Sequence, residues 1–123
     1  MDVPRPELAV TVQVHPRVTV VRPEGELDHD TVGPLREALD AALADGARRV
    51  VVDCSGLAFC DSTGLNLLLR TRLAVQGRGG AVELAAPGPV VARILQVTGA
   101  DELFTVHPGL AEALAADGEG EGE

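Results

Sequence analysis

The residues best equipped for chemistry in this chain fall in two short segments. Asp61-Ser62-Thr63-Gly64 sets a carboxylate, two hydroxyls and a glycine just ahead of an apolar stretch of helical period. Asp61 suits an N-cap, its carboxylate accepting from backbone N–H groups of the first turn. Ser62 then takes the first helical position with its hydroxyl toward solvent. There the unpaired N–H groups and the positive end of the dipole favour an added phosphate. A phosphoserine at that point would add roughly −1.5 to −2 charge. The plainer reading is a helix start rich in capping residues. Asp28-His29-Asp30-Thr31 is the second segment, ahead of the first helical stretch. Asp28, Asp30, Asp53 and Asp61 gathered at one edge would suit Mg²⁺, but helix capping and strand-end solvation explain them more simply. No metal or cofactor is expected.

Catalytic alternatives find little support. Ser62 has no histidine at a recognisable spacing and no Gly-x-Ser-x-Gly elbow. His15, His29 and His107 are scattered, with no pair at metal-ligand spacing. His29 reads as an interface or loop histidine and not as a base. Gly77-Arg78-Gly79-Gly80 lacks the Lys-Ser/Thr of a phosphate loop and reads as a helix stop. Cys54 and Cys60 flank the loop before Ser62; a redox pair would need them at bonding distance, whereas two small semi-buried hydrophobes need nothing further. No catalytic residue is assigned.

The elements that must position these segments follow from periodicity. Leu8, Val10, Val12 and Val14 alternate on one face, predicting a half-buried strand. His15-Pro16 breaks it. Arg17 to Arg22 alternates again until Pro23 and Gly25 close it, so an antiparallel hairpin is expected. From Asp28 the spacing changes: Val32, Leu35, Leu39, Ala42 and Leu43 form a helical stripe, with Asp28 or Asp30 as cap and Gly46 as stop. Arg48 to Cys54 is a continuous apolar run with charged ends, suited to a strand covered on both faces. After a loop, Leu65, Leu68, Leu69 and Leu73 mark a second helix. Ala81 to Ala86 is a further strand. Val90, Val91, Ile94, Leu95 and Val97 mark a third helix, stopped by Gly99. Leu103 to Val106 is a last strand, and Pro108 to Ala116 a last helix with Leu110 and Leu114 inward. The expected fold is α/β, a mixed sheet of four to five strands packed with about four helices in the order ββαβαβαβα.

Composition narrows the partners. The 123 residues suit one domain, read as a lead over 1–6, a domain over 7–116 and a disordered acidic tail over 117–123. Nineteen acids face ten bases, all arginine, for a net charge of −9. Such a balance is poor for phosphate contacts, and with two Phe, no Trp and no Tyr the stacking platforms for bases are nearly missing. Nucleic acid is excluded as a direct partner. No run is long enough to cross a bilayer, so no membrane is expected either. Two cysteines without a signal-peptide pattern point to a reducing, cytoplasmic location.

Phe59-Cys60-Asp61-Ser62-Thr63-Gly64-Leu65 resembles the phosphoacceptor segment of the STAS domain, specifically of bacterial anti-sigma factor antagonists. Gly25-Glu26-Leu27-Asp28-His29-Asp30-Thr31 resembles that family's second signature, and the order of elements agrees over roughly residues 7–116. The resemblance implies a STAS-type fold and a partner switch with no enzymatic activity of its own. The unmodified antagonist binds an anti-sigma factor that is also a serine kinase, which frees the sigma factor for transcription. Phosphorylation then ends the binding and a serine phosphatase restores it. By position the phosphoacceptor is Ser62 and not Thr63. Asp28, His29, Asp30, Thr31, Asp61, Ser62, Thr63 and Gly64 are the implied partner-binding residues, on a protein monomeric when free. The alternative is a free-standing STAS domain of a lipid-transport or stress-signalling complex without sigma regulation. A thiol-redox or hydrolytic enzyme ranks behind both.

Overall fold

A run of three valines sets the layering of the molecule. In the computed structural model, which describes residues 8–121, Val50, Val51 and Val52 of β3 (Arg49–Asp53) are wholly buried. Successive strand residues face opposite ways. Val50 and Val52 therefore enter the core beneath three helices, while Val51 enters a smaller cluster on the other face. The chain runs β1 (Ala9–Val14), β2 (Thr19–Leu27), α1 (Val32–Ala44), β3, β4 (Leu57–Cys60), α2 (Ser62–Gln76), β5 (Ala81–Ala85) and α3 (Pro89–Thr98). A short 3-10 turn, Ala100–Glu102, precedes β6 (Thr105–His107) and α4 (Leu110–Glu121). The sheet order is β1-β2-β3-β5-β6, with β4 paired to β2. Among the described residues only β1–β2 is antiparallel.

The large core joins Leu27, Leu35, Leu39, Val52, Leu68, Leu84 and Leu95, drawing on α1, α2 and α3. Ala113 of α4, with Leu110 and Leu114 partly buried, covers Val18, Val20, Val51 and Ala85. A polar cluster ties this second layer down. Arg49 donates to both carboxylate oxygens of Glu83 at 2.9 and 2.7 Å and to the Ala113 carbonyl of α4 at 2.8 Å. His107 Nε2 lies 2.7 Å from Glu83 Oε1. Gly46, at φ +85°, closes α1: its N–H donates to the Leu43 carbonyl and that of Ala47 to Ala42. That is the paired bonding by which a left-handed residue satisfies the last carbonyls of a helix.

Among the described residues six strands form, not four or five, because the expected loop after β3 contains β4. Its burial runs buried-exposed-exposed-buried, without the alternation that marks a strand in sequence. Pro23 and Gly25 do not end β2 either. Pro23 pairs with Val10 of β1, but on its other side it falls between the pairing with β3, which reaches Val21, and that with β4, which starts at Gly25. A residue without an N–H is tolerated at such a break in the ladder. The alternation of β1 predicts its direction and not its full burial: Leu8 is buried, yet Val12 and Val14 are exposed. Opposite them α1 offers only Ala38, Ala41 and Ala42, too short to reach across.

On α2 the buried residues are Leu65, Leu67, Leu68, Thr71 and Val75, while Leu73 faces solvent. Neither Asp28 nor Asp30 caps α1; Thr31 is its N-cap and makes no side-chain cap bond. The last strand begins at Thr105, two residues beyond Leu103, because the 3-10 turn intervenes. The backbone of α4 continues to Glu121, into the segment expected as a tail. The expected lead over 1–6 and the final two residues of the tail lie outside the described residues.

Candidate functional site

Asp61 leaves β4 with extended backbone, φ −93° and ψ −174°, and starts α2. Its Oδ1 accepts from the N–H of Gly64 at 3.0 Å, which satisfies one of the donors that a helix start leaves open. Ser62 follows as the first helical residue and is exposed; Thr63 is half-buried and Gly64 buried. Gly64 permits a close approach. A Cβ there would lie 2.5 Å from Leu27 Cγ and 3.1 Å from Cys60 Sγ, so the first turn of α2 is seated directly on β2.

The second segment is brought beside the first by β2–β4 pairing, which sets Leu27 opposite Cys60. The Asp61 N–H donates to the Leu27 carbonyl at 3.0 Å, and the His29 N–H donates to Asp61 Oδ2 at 3.2 Å. One carboxylate thus caps α2 with one oxygen and holds the β2–α1 loop with the other. Asp28 organises that loop, its Oδ1 accepting from the N–H groups of Asp30 and Thr31 at 2.9 and 3.1 Å. Thr31 Oγ1 donates to the Glu26 carbonyl at 2.7 Å and accepts from the Asp28 N–H at 2.9 Å. The His29 ring stays 72% exposed between Asp30 Oδ1 at 3.4 Å and Asp61 Oδ2 at 3.9 Å.

All eight residues singled out in sequence therefore stand at one pole, in two groups. Ser62, His29 and Asp30 are exposed, Asp28, Thr31, Asp61 and Gly64 hold the two loops together, and Thr63 is half-buried beside them. Phe59 of β4 was not among them. It is 39% exposed two residues before Asp61, and its signal was the rarity of aromatic residues in this chain. Replacing Asp61 by alanine is expected to cost about 1 kcal/mol, lowering Tm by roughly 4 °C. Asp61→Asn should retain most of that stability, because an amide oxygen also caps; thermal denaturation of both variants checks this.

The remaining chemistry lies elsewhere. Asp53 is buried, with Oδ1 accepting from the Ser55 N–H at 3.0 Å and Oδ2 3.8 Å from Arg22 Nε. Among the described residues no three of the His, Cys, Asp or Glu side chains are placed to hold a metal ion. Both cysteines are buried and free. Burial, with smaller contributions from Cys60 and Asp53, pushes the Cys54 thiol up to about 12; burial and then Asp61 push Cys60 up to about 11. Since the thiolate is the reactive form, neither thiol is poised for exchange at neutral pH. No helix among the described residues is long and apolar enough to cross a membrane.

Comparison with known proteins follows the same outline. The model of the STAS domain family matches residues 9–113. The chain is 33% identical over 107 residues to the anti-sigma-F factor antagonist RsfB of Mycobacterium tuberculosis, covering 87% of each. It superposes on the crystal structure of an anti-sigma factor antagonist from Mycobacterium paratuberculosis with a TM-score of 0.82 and 34% identity, over 89% of this chain and 93% of that one. It also superposes on the phosphorylated form of the Bacillus cell fate determinant SpoIIAA with a TM-score of 0.71 and 25% identity, over 88% and 98%.

Proposed function

The chain belongs to the STAS domain family, and from that premise we propose that it is an anti-sigma factor antagonist whose binding is switched at Ser62. The unphosphorylated pole docks on a cytoplasmic anti-sigma factor that is also a serine kinase, releasing the sigma factor. Transfer of the γ-phosphoryl group of ATP to Ser62 Oγ, with ADP leaving and the hydroxyl proton lost, ends the contact; a serine phosphatase reverses it. The observation that carries this reading is the placement of Ser62. It is the exposed first residue of α2, next to a carboxylate cap and beside the His29 loop.

The placement suits a switch without refolding. The dipole and open N–H groups of a helix start accommodate phosphate, so the fold persists in both states. Asp28, Asp30 and Asp61 already crowd the pole with negative charge, and a doubly charged group desolvated among these like charges at a docked interface weakens the contact. The role is regulatory, not enzymatic. Incubation with the cognate kinase and ATP is expected to add one phosphoryl group, mapped by peptide mass spectrometry to Ser62, and none to Ser62→Ala. Labelling of Ser62→Ala to the same extent as wild type would move the site elsewhere. No labelling of the wild type would favour a STAS module of a complex without sigma regulation.

A further inference from the structure

At the pole opposite Ser62, where β1 ends and β3 and β5 begin, a cleft of about 960 Å³ opens between the sheet and the last turns of α1. Its floor follows from strand register. Val12 and Val14 of β1 pair with Val21 and Thr19 of β2, and directly opposed residues share a face. Val21 belongs to the core beneath α1, so all four face that helix. The wall is Ala38, Ala41 and Ala42 of α1. Two polar groups of the lining are left unmatched. Thr19 is only 7% exposed, yet among the described residues its hydroxyl makes no hydrogen bond. His15 Nε2 is buried and also lacks a partner. Native proteins leave few such groups unpaired. Charge is the third feature. Arg17 and Arg48 line the cleft against Asp45, while Arg49 is held by Glu83. Two guanidiniums less one carboxylate leave one surplus positive charge, in a chain of net charge −9.

We propose that this cleft binds a free aliphatic monocarboxylate, with its chain along Val12, Val14 and the alanines. Its carboxylate accepts from the Thr19 hydroxyl and the Arg48 guanidinium. These two donors are neighbours. Thr19 pairs with Val50 of β3, and Arg48 stands two residues before Val50, on the same face by strand alternation. Each part of the ligand is selected by the lining. Val12 and Val14, 46% and 77% exposed, offer an aliphatic floor that the alanines are too short to cover. No Phe, Trp or Tyr lines the cleft among the described residues, so a nucleobase finds no stacking platform. One surplus charge matches a carboxylate and falls short of a polyphosphate. An apolar floor with a few convergent polar groups is the common design of small-ligand sites, and the volume lies within their range.

Titration of decanoate into the isotope-labelled full chain, followed by amide chemical shifts, tests this. Saturable shifts at Val14, Thr19 and Ala41 are expected, with none at Ser62. A ligand of this size should bind with a dissociation constant of roughly 0.1–1 mM. Arg48→Gln, at an exposed position, should weaken binding about tenfold by removing a charged donor. Ala41→Leu, also exposed, should fill the cleft and abolish binding. Both variants should melt with the wild type. Acetate, which lacks the chain, and decyltrimethylammonium, which lacks the acid, should leave the cleft unshifted. Vesicles of phosphatidylglycerol should not carry the protein into a pellet. Absence of saturable shifts, full affinity in Arg48→Gln or Ala41→Leu, or equal shifts with the cation would overturn the proposal. So would sedimentation with the vesicles in place of decanoate binding. None of these outcomes bears on Ser62.

Discussion

Ser62→Asp is expected to bind the cognate anti-sigma kinase roughly a hundredfold more weakly than the wild type, and phosphoserine roughly a thousandfold more weakly. Ser62→Ala should remain bound in the presence of ATP. The difference in magnitude follows from charge: aspartate adds one negative charge where phosphate adds nearly two. Within the free protein the added charge is tolerated, because it sits at the start of a fifteen-residue helix whose N–H groups and dipole favour it. Within a desolvated interface that compensation is shared with Asp61, whose Oδ1 already occupies the Gly64 N–H. The loss is therefore one of binding and not of folding. Titration calorimetry at two salt concentrations, beside thermal denaturation, separates the two. Equal affinities of Ser62→Asp and wild type would sink the assignment, whereas a lowered Tm for Ser62→Asp would place the effect in the fold.

Removal of Glu83 should produce the largest loss of stability, at a site remote from the switch. Its side chain is 14% exposed and that of Arg49 15%, so Glu83→Ala removes from a largely buried guanidinium the carboxylate that accepts two of its hydrogen bonds. Breaking such a pair costs about 3 kcal/mol, a large share of the ~5–15 kcal/mol that holds a domain of this size. Burial alone would raise the Glu83 carboxyl. The hydrogen bonds from Arg49 and His107, and then their charges, outweigh it and hold the group below its ordinary value of 4.5. A depressed folded value means that the unfolded chain takes up the proton first as pH falls. The stabilisation from Glu83 is thus complete well above pH 4.5 and is lost as pH falls through the folded value. Urea denaturation of wild type and Glu83→Gln should differ at pH 7 and converge in strong acid. A constant difference across that range would contradict the ionised pairing.

How far the fold was legible depended on how local each cause is. The Arg48–Cys54 run announced a strand covered on both faces, since three valines between charged ends have few other uses. The stop at Gly99 was legible too, and it sits at φ +79°. β4 was not. Leu57-Ala58-Phe59-Cys60 has neither alternation nor length, and it exists because β2 extends past β3 and offers it a partner. The same extension explains why Pro23 failed as a strand breaker. Leu73 and Val14 carried apolar signals that the packing did not use, because burial depends on what stands opposite. Val14 lines a cleft to which α1 contributes only Ala38, Ala41 and Ala42.

Capping and periodicity act over three or four residues, so the sequence by itself determined the alternation of strands and helices, the Asp61 cap and the exposure of Ser62 at the head of α2. Distance in space was the business of the tertiary structure. His29 and Asp61 are thirty-two residues apart in the chain and share a hydrogen bond only because β4 lies parallel to β2. Arg49, Glu83 and His107, from three strands, converge beneath α4 for the same reason. Hydrogen bonding between strands is indifferent to sequence separation, and no local pattern records which strands will meet.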